Sequence, residues 1–363
     1  MFVKLCLVAA AIIIYPFIAL SQTSKYEMVK IADGVYTSFQ ANPYAVPVEG
    51  NSTIIINERD VVVVDSNATP ASARATLAEI RKLTDKPVRY VINSHWHDDH
   101  IFGNQVYMEA FPGVEFISHK NTREDFITQG GPKSLKDDQA NLPKTIQDAE
   151  ARLAAGKRRD GQPMTEQDRA FTADQIKQLK EFLPELAAVR PLPPTLTIES
   201  GLTLHRGERV IQILYLGKGN TRGDLVVYLP QEKVLMTGDL VVNPVPFSFG
   251  SYLGEWIQTL RKLRDFPAET IIPGHGPAQK NKEYISQLIE LLESTLTQTQ
   301  GAVKRGLNLE ETRKAVNLES FRVRFAGEDR VRNFAFQQFF VTPAVERAWL
   351  EARGELDKPE AKP

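Results

Sequence analysis

The sequence predicts an α/β fold in which two similar β-rich halves pack face to face with helices outside. Two observations lead there. From Ser52 onward, short β-branched runs alternate with stretches of helical composition. In addition, Thr53–Asp65 is echoed by Leu225–Asp239: each reads strand, charged turn, strand, then an aspartate at the strand's end. Such an echo is what a faint internal duplication would leave. Chance similarity between two hairpins is the alternative.

Taken in order, Thr53–Asn57 and Val61–Asp65 are β-branched runs split by Glu58-Arg59-Asp60. Thr69 to Leu83 has helical composition, with Ser72, Ala75, Leu77, Ile80 and Leu83 mixing small and apolar positions. Val88–Ile92 is a strand that delivers the chain into Asn93-Ser94-His95. Gly103–Phe111 reads as a helix and Val114–Ile117 as the next strand. The second half offers strands at Val210–Leu216, Asp224–Leu229 and Lys233–Thr237, the last ending at Gly238-Asp239, and an apolar run at Ile271-Ile272-Pro273.

Between the halves lies a charged segment with helices at Ile146–Ala155 and Glu166–Ala188, closed by Pro191-Leu192-Pro193-Pro194. It reads as a helical insertion over about 121–194, lying over the mouth of the site. After the second half, Glu283–Val303, Leu309–Val316 and Asp329–Arg353 read as helices, with Ile285, Leu288, Leu291 and Leu292 at helical spacing. An isolated amphipathic helix gains little in water. This extension, 281–354, should therefore dock on the catalytic domain at 22–280 or on a second copy as a homodimer contact. The charged tail, 355–363, should fray.

Bulk properties narrow the partners. The chain has 363 residues, 42% hydrophobic and 25% charged, with a formal net charge of -1. Lacking a basic surplus, it offers no nucleic-acid footprint; a small molecule is the expected substrate. Lys4 precedes an uncharged apolar run, Leu5–Leu20, and Ala19-Leu20-Ser21 supplies small residues for cleavage. Residues 1–21 thus read as a signal peptide, with a periplasmic or secreted product and no membrane insertion after cleavage. An uncleaved anchor is the alternative, because the run falls only slightly short of a spanning helix. Cys6, the only cysteine, would leave with the signal. No thiolate then remains for a metal, so any site must use histidine and carboxylate.

Four of the six histidines fall where strand-like runs end. His95, His97 and His100 crowd together with Asp98 and Asp99, and His275 sits in Pro273-Gly274-His275-Gly276-Pro277. In a turn after a strand, positions 95 and 97 can converge on one ion while 99 and 100 face another. Zinc accepts that mixture of imidazole nitrogen and carboxylate oxygen. A solvated polar turn is the bland alternative.

The run His95-Trp96-His97-Asp98-Asp99-His100 resembles the His-x-His-x-Asp-His signature of the metallo-β-lactamase superfamily. The Gly-rich turn Gly217–Thr221, then Thr237-Gly238-Asp239, then Pro273–Gly276 follow in the family's order. The resemblance covers about 28–277. It implies a four-layered αββα sandwich with the metal site at one edge of the sheets, here with the helical insertion and C-terminal extension added. It also implies one or two zinc ions, with manganese or iron as alternatives. His95 and His97 would belong to the first site and Asp99, His100 and His275 to the second, with Asp239 bridging. Asp65 resembles a family carboxylate that orients the loop; an ordinary strand-end turn residue is the alternative. His119 and His205 match no ligand position and are taken as structural or surface groups.

The sequence departs from the family at Asn220, where the turn normally presents the third imidazole of the first site. An amide oxygen is the weaker ligand, so the first ion should be held less tightly; a shifted turn or a lost activity are the other readings. By resemblance, metal-activated water would attack a carbonyl or phosphoryl centre, with Asp99 orienting the nucleophile or shuttling a proton. The reaction implied is cleavage of a small ester, thioester, lactone or β-lactam. Asp239 at the bridging position is unlike true β-lactamases, which usually carry cysteine or serine there; export argues the other way. A true β-lactamase, an iron-dependent oxygenase and a non-catalytic metal binder therefore stay open. Phe247 and Phe249, with Asn220, are the candidate substrate contacts, whereas Trp256 reads as the buried face of a helix with Leu260 and Leu263.

Expressed in a Gram-negative host, the mature protein should begin near Gln22 and fractionate with the periplasm; an intact Met1 in the membrane pellet would sink the signal-peptide reading.

Overall fold

In the computed structural model, residues 26–40, 42 and 45–356 are described. The signal-peptide segment 1–21 lies outside them, as does all but the first two residues of the tail. No described helix is long and apolar enough to cross a membrane.

Seven strands form the first sheet in sequence order: β1 (Tyr26–Ala32), β2 (Val35–Gln40), β3 (Ser52–Ile56), β4 (Val61–Val64), β5 (Val88–Ile92), β6 (Glu115–His119) and β7 (Leu196–Ile198). The second sheet holds β8 (Gly201–Arg206), β9 (Arg209–Tyr215), β10 (Leu225–Leu229), β11 (Val234–Met236) and β12 (Thr270–Ile272), ordered β12-β11-β10-β9-β8. Each half carries the same pattern: β3 and β4 pair antiparallel and β4 runs parallel to β5, just as β10 pairs antiparallel with β11 and β11 runs parallel to β12. The echo between the two hairpins therefore extends to their place in the sheets.

Alternation along the strands sorts side chains into layers. Val62 and Val64 of β4 and Ile92 of β5 face inward, where they meet Ile213, Leu225, Val227 and Met236 of the second sheet. Val61, Val63 and Val91 point the other way, against two helices, α1 (Pro70–Leu83) and one described below. Val226, Tyr228 and Leu235 form the outer face of the second sheet. Strands buried on both faces read as unbroken Val/Ile runs rather than alternating ones, which is why they were visible in the sequence. The α1 start is fixed by a reciprocal cap between Thr69 and Ser72 with Pro70 in the first turn, and Arg81 and Lys82 complement the dipole at its end.

Two short helices follow β5: α2 (Asp98–Ile101), not expected from the sequence, and α3 (Asn104–Ala110), the second cover of the first sheet. The segment expected as an insertion divides in two. Its first helix, α4 (Lys120–Thr128), grows straight out of β6 and packs on β6 and β7. Thr122 and Asn121 donate to the carbonyls of Gly223 and Arg222 across the sheets. Only the hairpin of α5 (Gly131–Ala155) and α6 (Glu166–Ala187) projects, closed on itself by Ile146, Ala149 and Ile176. Where one helix was expected at Ile146–Ala155, α5 runs through Pro143.

The outer face of the second sheet is covered by α7 (Leu253–Arg264) and α8 (Glu283–Lys304), with α9 (Leu309–Ala315), α10 (Glu319–Ala326), α11 (Arg330–Ala335) and α12 (Thr342–Ala352) following. Ile285, Leu288, Leu292, Phe336, Phe340 and Ala348 share one cluster with Trp256 and Val226, so the extension continues the core of the second sheet. The single helix expected at Asp329–Arg353 is instead interrupted by a π-helical turn, Phe336–Val341. Pro343 lacks the N–H that would bond the Phe339 carbonyl in an α-helix, and Ser248 takes that carbonyl instead, N–H to O at 2.9 Å.

Candidate metal centre

The site sits where the parallel pairs β4/β5 and β11/β12 end. Asp65 terminates β4, Ser94 and His95 follow β5, Asp239 follows β11, and His275 follows β12. The two halves are stitched together there. Leu225 N–H donates to the Ser94 carbonyl, Asn51 N–H to that of Gly274, and Asn51 Nδ2 to those of Pro273 and Gly276. Close approach makes glycine obligatory twice: a Cβ on Gly274 would collide with Asp239 Oδ1, and one on Gly50 with the His100 ring.

Asp65 is buried and adopts a left-handed backbone, φ 62°. Its Oδ1 accepts Ser94 N–H at 2.7 Å, and its Oδ2 accepts the Ser94 hydroxyl at 2.7 Å and His100 Nδ1 at 2.8 Å. The structure thus decides between the two readings of Asp65: it orients the loop. It also assigns tautomers. Because the carboxylate can only accept, His100 carries its proton on Nδ1. Ser94 spends its proton on Asp65, so at 3.0 Å from His95 Nδ1 it accepts, and His95 too is protonated on Nδ1.

Both Nε2 lone pairs therefore face inward. His100 Nε2 lies 3.2 Å from His275 Nε2, 3.2 Å from Asp239 Oδ1 and 3.5 Å from Asp99 Oδ2. His275 Nε2 stands 3.1 Å from Asp99 Oδ2, and His95 Nε2 3.7 Å from Asp239 Oδ2. His95 Nε2 and Asp239 Oδ1 are buried without a hydrogen-bond partner. Imidazole nitrogens converging on carboxylates call for a positive charge at their centre. Burial opposes a proton on His100, yet Asp99, Asp239 and Asp65 lift its pKa well above the ordinary value. Burial likewise opposes charge on His275, but Asp239 and Asp99 raise it to about 9. Burial and His100 push His95 the other way, well below. A divalent cation with imidazole and carboxylate ligands fits this donor set.

Two groups of potential ligands emerge among the described residues: His95, His100 and Asp239, and Asp99, His100 and His275. The grouping differs from the expected one. His100, pinned by Asp65, stands at the centre of both, while His97 belongs to neither. The His97 ring, at the start of α2, meets that of His95 edge-on at 4.5 Å and lines the cavity above. Asn220 is buried; its Nδ2 donates to the Phe247 carbonyl at 2.8 Å, and its Oδ1 has no partner. Asp224, which the sequence reading passed over, holds that turn by accepting Thr221 N–H and hydroxyl. Burial pushes the Asp224 carboxyl up to about 8. His119 is structural, stacked on Tyr215 at 4.2 Å, and His205 is exposed.

A cavity of about 590 Å³ opens over the cluster, lined by His97, Asp99 and Asp239 and walled by Trp96, Phe102, Phe182, Phe247, Phe249 and Phe339. Phe247 packs on His275 at 5.1 Å and on Phe339 at 5.3 Å. Trp256 is core and donates to the Leu240 carbonyl. Phe182 comes from the insertion and Phe339 from the extension; sequence reasoning named neither, because only the packing of these segments brings them to the site.

The family model for the metallo-beta-lactamase superfamily matches residues 45–275. The chain belongs to that superfamily. Among solved structures, a metallo-beta-lactamase from Pontibacter korlensis superposes with a TM-score of 0.52 at 19% identity, covering 74% of this chain and 99% of the other. The likeness bears on fold, and the metallo-β-lactamase sandwich is the fold described above. Among curated proteins, a linear primary-alkylsulfatase from Pseudomonas sp. is 23% identical over 275 residues, 71% of this chain and 48% of the relative. The chain thus spans about half the length of that superfamily relative.

Asp65→Ala should destabilise the fold by about 3 kcal/mol or more, since it strands three buried donors at once. Urea unfolding of the variant against the parent measures this; a loss below about 1 kcal/mol would mean that the loop holds its own shape.

Proposed function

We infer that the protein is a metal-dependent hydrolase that cleaves a small ester, thioester or lactone bearing an apolar arm. One observation carries the reading: inward-facing imidazole nitrogens and carboxylates form the floor of a cavity whose walls are aromatic. His95, His97, Asp99, His100, Asp239 and His275 would hold one or two ions, zinc above manganese or iron, with the unpartnered Asn220 Oδ1 as a weaker ligand. A divalent ion there would acidify water and polarise the substrate oxygen. Asp99 is partly exposed to the cavity and 3.1 Å from His275 Nε2, placed to accept a proton from the attacking water. The aromatic walls would bury the arm and keep bulk water from the reacting bond. Removal of the leader would put this chemistry outside the cytoplasm. A second reading, a sulfate ester as substrate, is favoured by the similarity to an alkylsulfatase.

Purified protein given zinc should hydrolyse at least one of a panel of aryl esters, thioesters, lactones, alkyl sulfates and a chromogenic cephalosporin. Chelation should abolish the activity and zinc restore it. Turnover that survives chelation, or none across the panel, would defeat this reading.

Asn220 yields a separate expectation. With an amide in place of an imidazole, the unaltered protein should retain closer to one metal than two by elemental analysis, and Asn220→His should raise the content towards two. Two tightly held ions in the parent, unchanged by the substitution, would show that another group completes the first site.

A further inference from the structure

The ionisable groups that line the cavity over the candidate ligands are acidic, one histidine apart. Apart from His97, the ionisable side chains among its described lining residues are Asp98, Asp99, Asp138 and Asp239; none is lysine or arginine. Asp99 and Asp239 belong to the cluster, where a bound cation would offset them. Asp98 and Asp138 do not. Asp98 Oδ2 accepts a hydrogen bond from Ser134 Oγ, while its Oδ1 is buried with no partner. Ser134 and Asp138 lie one turn apart on α5 and so share the face it turns to this loop. Beside them stand the half-buried rings of Trp96 and Phe182, and aromatic π faces attract cations.

A carboxylate oxygen buried without a donor is costly, and an anion brought beside it would add like-charge repulsion. A cationic group relieves both costs and gains the ring faces. We propose that Asp98, Asp138 and the neighbouring rings bind an ammonium group on the apolar arm of the substrate. The enzyme then takes amine-bearing esters in preference to esters carrying an anion on that arm. As a statement about substrate this rests on the hydrolase reading; as a statement about binding it does not.

The test uses the zinc-loaded full chain and decyltrimethylammonium below its micellar concentration, titrated by calorimetry, with decyl glucoside as the uncharged comparison. An ammonium cannot ligate the metal, so its affinity reports on the carboxylates and rings. Decyltrimethylammonium should bind about fivefold or more tightly than the glucoside, and Asp138→Asn should remove most of that difference while leaving glucoside binding unchanged. In parallel, hexanoate aryl esters ending in trimethylammonium, methyl or carboxylate should fall in that order of kcat/KM. Equal binding of the two amphiphiles, or a preference untouched by Asp138→Asn, overturns the proposal even if esters are cleaved. An Asp138-dependent preference without any ester cleavage supports the cation site and removes the hydrolase reading instead.

Discussion

A single buried carboxylate decides which way two of the imidazoles of this site point. Asp65 ends β4 with a left-handed backbone and accepts three hydrogen bonds, from the Ser94 amide, the Ser94 hydroxyl and His100 Nδ1. An amide in its place could donate as well as accept, and the tautomers of His100 and His95 would no longer be determined. With the carboxylate present, both rings carry a proton on the protein side, which leaves Nε2 as the nitrogen that faces Asp239 and Asp99. Lone pairs and carboxylates then crowd a buried centre, an arrangement stable only with a positive charge among them.

The two-sheet architecture is what brings that centre together. Antiparallel hairpin followed by a parallel strand occurs once in each sheet, and both copies end in an aspartate at the same edge. Their work has diverged. Asp65 stands behind the imidazoles and orients them, whereas Asp239 stands among them, 3.2 Å from His100 Nε2. Gly274 lets the loop after β12 pass so close to the one after β11 that any side chain there would displace Asp239.

Much of this was legible in the sequence because the pieces sit at the ends of fully buried strands. Runs such as Val61–Val64 and Leu225–Leu229 announce themselves, and His95, Asp239 and His275 lie just past such runs. β1 and β8 were not legible: each has only part of one face covered, and their mixed polar residues give no unbroken apolar run. The order of ligands around the centre was also out of reach. Spacing places His97 beside His95, but only the Asp65 bond makes His100 the residue common to both groups. Likewise, helical periodicity runs straight through Asp329–Arg353, while the break follows from one missing N–H at Pro343 and a carbonyl to which the Ser248 N–H donates from outside the helix.

That break links the extension to the site. The Phe339 carbonyl, left free by Pro343, bonds Ser248, which neighbours both Phe247 and Phe249 in sequence; the Phe339 ring packs against both of theirs. Phe247 in turn is held from below by Asn220 and lies against His275. That side of the cavity wall is therefore one packed unit of two segments remote in sequence, resting on a floor of candidate metal ligands supplied by the sandwich. Floor and wall answer to different constraints. The floor needs particular donor atoms at fixed distances, whereas the wall needs only apolar volume of the right shape. Substitutions in α6, the loop after β11 or the π-helical turn can thus reshape what enters without disturbing Asp65 or the nitrogens it orients. A sandwich of this kind can keep its candidate ligands in place while helices added outside it set the shape of the cavity above them.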